Sequence, residues 1–329
     1  MTIAVRNLLL LLMLACVSAC DPPTAPGAGE RVGGTGDNAE IRIVALSPAV
    51  AVMLRDLGLE SEIVGRHGYD IALDPALPVA GDQGGVDYEV LLSLDPTHVF
   101  TQFGALGVPE RLTQLANDNG WVLEDLTLDS LDAIARTMDD LQLDLIGFEE
   151  RGVEEFDPTR QFARTSLPSE RLAHAWRDRG PAVRDAGRVL MIAAVEPPGV
   201  LGPGSFHHEL LVRVGGTPAV TQGGPWQELD AEDVLRLAPD AIVIFATDGA
   251  PDAGPSGDAR FVDPAPPAWG EVEARLGALA GLPIPAVRDR RVALIDDRLA
   301  LLPSSSLAGV ANELAERLEA WSSARVGGP

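Results

Sequence analysis

His208-Glu209-Leu210-Leu211-Val212 opens like the zinc-protease pattern H-E-x-x-H, in which two histidines one helical turn apart grip a metal beside a glutamate base. Val212 stands where the second histidine must be, so half of the ligand pair is missing. Gly202-Pro203-Gly204-Ser205-Phe206 sets Gly and Ser side by side, not in the G-x-S-x-G elbow that lifts a nucleophilic serine off a strand. No Walker glycine loop with its Lys and Ser or Thr occurs. The adjacent His207 and His208 diverge by about 100° on a helix and do not converge on one metal. With five histidines and two cysteines, the chain offers no assembled catalytic set and no cofactor or metal motif. The expectation is a binding protein, not an enzyme.

The pattern that does recur is E-x-x-L-x-L-x-P-x-x-V/I. Glu89, Leu92, Leu94, Pro96 and Val99 are matched 143 positions further on by Glu232, Leu235, Leu237, Pro239 and Ile242. Each copy reads as a short helix with its leucines on one face, stopped by proline, leading into a buried strand (Val99 and Phe100; Ile242 to Phe245). One glutamate therefore stands at an equivalent place in each copy. Stacked solenoids repeat every roughly 20–50 residues, so this longer period implies two related lobes.

The elements around the copies alternate. In the first lobe, residues 39–147, strands are expected at Ile41 to Leu46, Ile63 to Gly65, Thr97 to Gln102 and Trp121 to Leu123. Helices are expected from Pro48 behind a Ser47 cap, from Glu89, from Pro109 and over Leu131 to Leu145. The second lobe, residues 187–329, repeats this with strands Val189 to Ala194, Ala241 to Phe245 and Arg291 to Ile295. Its helices are Phe206 to Val214, from Asp230, Trp269 to Ala280 and Leu307 to Trp321. Between the lobes, in residues 148–186, Phe148 to Thr165 is charged and without period. Pro168 to Val183 carries Leu172, Ala175, Trp176 and Val183 at helical spacing and reads as one connecting helix. The fold class is α/β: two Rossmann-like lobes with mainly parallel sheets joined by one long connecting helix, their ligand lying beyond the carboxyl ends of the strands. Ala246 to Ala268, rich in Pro, Gly and Asp, reads as a long surface loop.

The N-terminus indicates where the lobes work. Arg6 precedes an apolar run from Leu8 to Val17, too short for a span of about 20 residues, and Val17-Ser18-Ala19-Cys20 has the form of a bacterial lipobox. Residues 1–19 read as a signal peptide, Cys20 as the lipidated residue, and 20–38 as a flexible Pro/Gly tether on the outer side of the cell membrane. Cys16 leaves with the signal, so the mature chain has no disulfide. A formal charge of −24, from 49 acidic against 25 basic side chains, argues against nucleic acid or an anionic membrane face as partner.

Several stretches in this order resemble the substrate-binding proteins of ABC importers for cobalamin, haem and ferric siderophores. In the first lobe they are Arg42 to Pro48, Leu57-Gly58-Leu59 with Ile63-Val64-Gly65, and Leu77 to Asp82 leading into the first repeat. In the second they are Pro197-Pro198, Gly202 to Leu211 with Gly215-Gly216, Pro225-Trp226, Pro285 to Val287 and Arg291 to Asp296. The resemblance covers nearly all of Arg42 to Glu319. It implies a monomer that takes a corrinoid or iron chelate between its lobes and delivers it to permease and ATPase subunits.

The resemblance also implies roles by position. Glu89 and Glu232 match the two carboxylates that meet arginines of the permease, a charge-assisted pairing that fixes orientation. Tyr69 and Trp226 match aromatic walls of the cleft, and Asp297 a polar contact at the end of the last strand. Gln83 and Gln102 stand where the cobalamin proteins carry tryptophans, which makes this pocket more polar and favours an amide-rich siderophore. If haem is the ligand, the candidates for its axial position are His207, His208, His67 and Tyr69. A membrane-tethered sensor of the same fold would share all of these features.

Overall fold

The computed structural model describes residues 40–82, 84–147, 167–246 and 268–326. The signal peptide, Cys20, the tether, Gln83, the segment 148–166 and most of the 246–268 loop lie outside the described residues. Among the described residues, no helix is long and apolar enough to cross a membrane.

The first sheet is built from β1 (Ile43–Ala45), β2 (Ile63–His67), β3 (Val79–Asp82), β4 (Gly85–Val86), β5 (His98–Thr101) and β6 (Val122–Asp125), in the order β4-β3-β2-β1-β5-β6. All neighbours are parallel except β3 and β4. Four helices connect or follow these strands: α1 (Pro48–Asp56), α2 (Tyr88–Leu94), α3 (Glu110–Asn119) and α4 (Leu131–Leu145). Ser47 caps α1 by accepting from the Val50 N–H, with Pro48 supplying a fixed φ at the first helical position.

After the connecting helices α5 (Pro168–Ala175) and α6 (Pro181–Arg184) comes the second sheet. Its strands are β7 (Arg188–Val195), β8 (Pro198–Leu201), β9 (Thr217–Pro218), β10 (Trp226–Glu228), β11 (Ala241–Ala246) and β12 (Val292–Asp296). The order is β10-β8-β7-β11-β12, with β9 also paired to β7. β7, β11 and β12 run parallel, whereas β8 and β10 are antiparallel additions at one edge. The helices are α7 (Phe206–Arg213), α8 (Ala231–Leu237), α9 (Trp269–Leu276), α10 (Pro285–Arg288) and α11 (Leu307–Val326). The chain is thus an α/β protein with two sheets, and both belong to one compact unit, Ile41–Pro329.

Side-chain alternation along the strands sorts the core into three parts. Ile43 and Ala45 point inward with Val189, Met191, Ala241, Val243 and Phe245, into one apolar cluster that runs from the first sheet to the second. Val44 and Val99 point the other way, under α2 and α3. Leu190, Ile192, Ile242 and Ile244 do the same under α8 and α9. α1 lies in the shared cluster and buries six residues in succession, Ala49 to Leu54, so it is covered on all sides. α11 contributes a single stripe, Leu307, Val310, Ala311, Leu314, Ala315 and Leu318, at the helical period.

Two expectations are corrected. Pro168 to Val183 is two helices rather than one: Gly180 sits at φ 89° and Pro181 has no N–H to donate, so α5 cannot continue through them. The repeat leucines do not share a face either. Leu91 and Val234 are the buried residues of α2 and α8, while Leu92 and Leu235 remain 42% and 44% exposed. Positions two apart on a helix are turned by about 200°, so Leu92 and Leu94 cannot both face the sheet.

The repeat is nevertheless structural. Asp87 and Asp230 cap the two helices, accepting N–H bonds from Val90 and Asp233 at 3.0 and 2.8 Å. The helices end in left-handed residues of matching conformation, Asp95 (φ 43°, ψ 61°) and Ala238 (φ 42°, ψ 61°), each followed by proline. Arg42, just before β1, donates through its guanidinium to the carbonyls of Leu94 (2.6 Å) and Asp95 (3.2 Å). Arg188, at the start of β7, donates to those of Leu237 and Ala238 (3.1 Å). The cation thus meets the negative end of the helix dipole in both lobes.

Trp176 shows the dependence of both lobes on the common core. Its ring is 2% exposed and its Nε1–H donates to the Leu307 carbonyl at 3.2 Å. Trp176→Ala is expected to cost about 3–5 kcal/mol. Chemical denaturation should show one transition shifted as a whole; separate lobe transitions would contradict the shared core.

Candidate ligand-binding site

The carboxyl ends of the first sheet's strands surround a hollow of about 340 Å³, lined by Leu46, His67, Gly81, Asp82, Gly85, Val86, Gln102, Phe103 and Leu106. Leu46 follows β1, His67 and Asp82 end β2 and β3, and Gln102 follows β5, so strand order brings together residues far apart in sequence. Gly81 is closely approached: a Cβ there would lie 3.0 Å from the Gly85 carbonyl and 3.2 Å from Leu46 Cδ2, which would have to give by a few tenths of an ångström. Gln102 accepts at Oε1 from the Ser47 hydroxyl (2.8 Å), the same hydroxyl that caps α1, which leaves its amide Nε2 as a donor.

Phe103 to Gly107 forms one wall. Asp125 at the end of β6 accepts at Oδ1 from the Thr101 hydroxyl (2.8 Å) and from the Phe103 N–H (2.7 Å), which pins the start of this turn. Gly104 and Gly107, at φ 56° and 70°, carry the chain through a single turn that leaves Leu106 91% exposed. An opposite corner is the turn His67 to Asp70. Gly68 N–H donates to the Gly81 carbonyl (2.7 Å), and Asp70 Oδ1 accepts from the Ala72 and Leu73 amides at 2.9 and 2.8 Å. Tyr69 stands on this turn, 61% exposed, its ring 5.8 Å from that of His67. His67 Nδ1 accepts the Tyr69 backbone N–H at 3.1 Å, so the neutral ring carries its proton on Nε2. Burial holds His67 below its ordinary pKa, with Asp82 and Asp70 pulling it partly back.

The expected site residues are spread out. Gln102 lines the hollow and Tyr69 adjoins it through His67, while Gln83 lies outside the described residues between the lining residues Asp82 and Gly85. Trp226 and Asp297 belong to the second lobe and are not among the residues lining this hollow. Trp226 is 50% exposed and not part of a core; its ring lies over Gly199 of β8, where a Cβ would come within 2.3 Å of Cζ2. Asp297 accepts the Leu299 N–H at Oδ1 (2.8 Å) and closes the turn after β12. Leu46, Phe103 and Leu106 escaped sequence reading. Their signal was position just beyond a strand's carboxyl end, Leu46 after β1 and Phe103 and Leu106 after β5, with Leu106 also between Gly104 and Gly107.

Glu89 and Glu232 occupy the same second position of α2 and α8, both exposed. Each shares a helix face with the exposed leucine three residues on. Beside Glu89, a shallower hollow of about 660 Å³ holds Arg111, whose guanidinium lies 5.2 Å from the centre of the Tyr88 ring.

The histidines of the second lobe have structural partners. His207 is buried, its Nε2 2.7 Å from the Ala300 carbonyl and its ring edge-on to Phe245 at 4.9 Å. It is therefore not offered to a ligand as the sequence allowed. Glu209, the acid of the incomplete protease pattern, accepts the Leu131 N–H (3.0 Å) at the start of α4 and pairs with Arg213 (2.7 Å), which also pairs with Asp132 (2.6 Å). These contacts join the second lobe to the first. Among the described residues there is no group of three or more His, Cys, Asp or Glu that could hold a metal ion.

No protein-family model matches the sequence, and no curated protein matches it. Solved structures do share the fold. The periplasmic heme binding protein HutB of Vibrio cholerae superposes with a TM-score of 0.59 at 18% identity, over 86% of this chain and 98% of that one. The periplasmic vitamin B12 binding protein BtuF of Vibrio cholerae gives 0.55 at 17% identity, over 85% and 97%. The periplasmic heme-binding protein RhuT from Roseiflexus sp. RS-1, in apo form, gives 0.57 at 20% identity, over 86% and 100%. The chain has the fold of these two-lobed periplasmic binding proteins.

Burial depresses the His207 pKa to about 4, against the partial recovery given by the Ala300 carbonyl. The unfolded chain, with a histidine near 6.5, then binds a proton that the folded chain refuses between about pH 4 and 6.5. Stability is complete above pH 6.5 and falls by about 1.4 kcal/mol per pH unit on acidification through that window. Denaturation midpoints measured from pH 7 to 4 should show this slope, and His207→Gln should flatten it. An equal slope in the variant would assign the effect to other groups.

Proposed function

We propose that this chain is the extracytoplasmic binding protein of an ABC importer and that it carries a flat metal macrocycle, haem in the first place and a corrinoid in the second. The observation that carries the reading is the pairing of an exposed Tyr69 phenol with His67 at the rim of the first lobe's hollow. A tyrosine oxygen is a known haem-iron ligand, and it is available here. His67 suits a different role, because its Nδ1 is taken by the Tyr69 amide and its Nε2–H is a donor for a carboxylate or phenolate oxygen. Leu46, Val86, Phe103 and Leu106 supply the apolar wall that a macrocycle face requires. Covering a side chain as exposed as Leu106 contributes about 1.5–3 kcal/mol.

The fold relatives support this reading, since two of those described bind heme and one vitamin B12 by their names. Binding rather than catalysis accords with the incomplete protease and hydrolase motifs. The lipobox ending at Cys20 supports a lipid anchor on the outer face of the membrane, with the chain acting as a monomer. Trp226 and Asp297 are proposed as the second lobe's contacts to the ligand, with Gln83 and Gln102 as amide contacts from the first. Glu89 and Glu232 are proposed to dock on basic residues of the permease, with ATPase subunits beyond it.

Absorbance titration of the fragment from Asn38 with haem tests the ligand. One-to-one binding with a new Soret band is expected, and Tyr69→Phe should weaken it at least tenfold and shift the band. An unchanged band and affinity in Tyr69→Phe would remove Tyr69 from the iron. No band in folded wild-type protein, together with calorimetric binding of cobalamin, would select the corrinoid.

Reversal of both acidic groups, Glu89→Lys with Glu232→Lys, tests docking. Ligand affinity should be unchanged while cellular uptake is lost. Normal uptake by the double variant would sink the assignment.

A further inference from the structure

The clamp on the two repeat helices has a consequence for docking, and this inference rests on the proposed role of Glu89 and Glu232. A glutamate reports the position of its helix only as well as that helix is held. α2 and α8 have seven residues each, about two turns, and each buries one residue fully, Leu91 or Val234. Tyr88, Val90 and Leu94 of α2 and Leu237 of α8 add partly buried contacts to the same clusters, so packing holds the sheet-facing side of each helix over no more than two turns and leaves its ends to be fixed by polar contacts.

The carboxyl end is where restraint has been added, and by the same device twice. The guanidinium of Arg42 or Arg188 reaches two successive carbonyls at the end of its helix. The backbone of the same arginine is tied to the residue after the proline. Arg42 N–H donates to Thr97 Oγ1 at 2.9 Å, and Arg188 N–H donates to Asp240 Oδ2 at 2.8 Å. In return, the Thr97 and Asp240 N–H groups donate to the Arg42 and Arg188 carbonyls at 2.8 and 2.9 Å. Side chain and backbone of one residue thereby fasten the helix end, the left-handed cap and the first core strand of the sheet into one piece. Those strands, β1 and β7, are anchored in the apolar cluster common to both sheets.

We infer that Arg42 and Arg188 are positioning residues for docking: they couple each glutamate-bearing helix to the shared core and so fix the separation of Glu89 and Glu232. Neither arginine touches the ligand hollow, so the residues that bind and the residues that set the docking span are separate. A partner reading the two acids then meets a rigid two-point gauge rather than two independent side chains.

The test reads the span directly. The chain's two cysteines are Cys16 and Cys20, so a fragment from Asn38, which contains the whole compact unit, is free of thiols. Spin labels at Glu89→Cys and Glu232→Cys give a distance distribution by pulsed electron resonance. Arg42→Gln and Arg188→Gln should each broaden that distribution about twofold or more, while labels at Asp118→Cys and Glu316→Cys keep their width. Arg42→Lys and Arg188→Lys, which keep the charge but not the fork, should fall between. Circular dichroism verifies that each variant is folded, and the Lys variants carry the comparison if a Gln variant is not. An unchanged width in folded variants, or equal broadening of the control pair, would reduce the arginines to general stabilisers and overturn the inference. The span is measured without the permease, so normal uptake in the Glu89→Lys, Glu232→Lys protein would end the docking reading and leave this result standing.

Discussion

The apolar cluster that passes from the first sheet into the second is the constraint on which the rest of the structure depends. It takes the inner faces of β1, β5, β7 and β11, buries α1 from Ala49 to Leu54, and is closed by α4, α5, α7 and α11. Such an interior has the density of a single core, and opening it by a large angle would expose apolar surface at about 25 cal/mol per Å². Polar ties at its margin work in the same direction: Glu209 accepts the Leu131 amide, Arg213 joins Glu209 to Asp132, and the Ser305 hydroxyl donates to Asp56 at 2.7 Å. A large opening between the lobes is therefore opposed by both the apolar cluster and these ties.

A shared inner core assigns the outward surfaces. With the inner faces of both sheets committed to the shared cluster, each sheet covers its outer face with its own helices, and the repeat helices α2 and α8 belong to these outer layers. The hollow lies at the carboxyl ends of the first sheet's strands, where the rule for parallel sheets puts a ligand. The two acids thus lie on helices that contribute no residue to the lining of the hollow. The exposure of Leu92 and Leu235 follows from the same geometry, since a helix lying on a sheet with one fully buried side chain must turn the neighbouring leucine outward.

Most of the alternation was legible because it is written in periods that burial enforces. The Leu131–Leu145 helix coincides with its expected limits, and Ser130 caps it at Ala133. Ile242 to Phe245 is a run of large apolar residues because both faces of β11 are covered. Short edge strands carry no such signature. β4, β9 and β10 have two or three residues each, too few to show a period, and they exist through pairing with neighbours fixed elsewhere. Of the site, residue types were legible but not companionship. Nothing in the sequence shows that Gln102 shares the hydroxyl that caps α1, or that His67 spends Nδ1 on the amide of Tyr69. The helix expected over Pro168 to Val183 failed for a local reason, because apolar spacing was weighed above Gly180-Pro181.

Charge places a last restriction on what such a site can do. At −24 the molecule repels an anionic macrocycle, but screening confines that repulsion to about 8 Å at physiological ionic strength. On the proposed reading, capture is then decided by groups within the hollow. There, Asp82 spends Oδ1 on the Gly84 amide at 2.6 Å, and His67 is held neutral by burial. A neutral His67 donating from Nε2 and the amide of Gln102 offer hydrogen bonds, and no Lys or Arg is among the described residues lining the hollow, so it presents apolar contact and neutral donors rather than a fixed positive charge. The exposed acids Glu89 and Glu232 remain on the outer surface, while the neighbouring Asp233 is paired with Arg236 at 2.7 Å. On the proposed reading, that division of charge assigns shape to the ligand and electrostatics to the permease, so that salt should act on the second and hardly on the first.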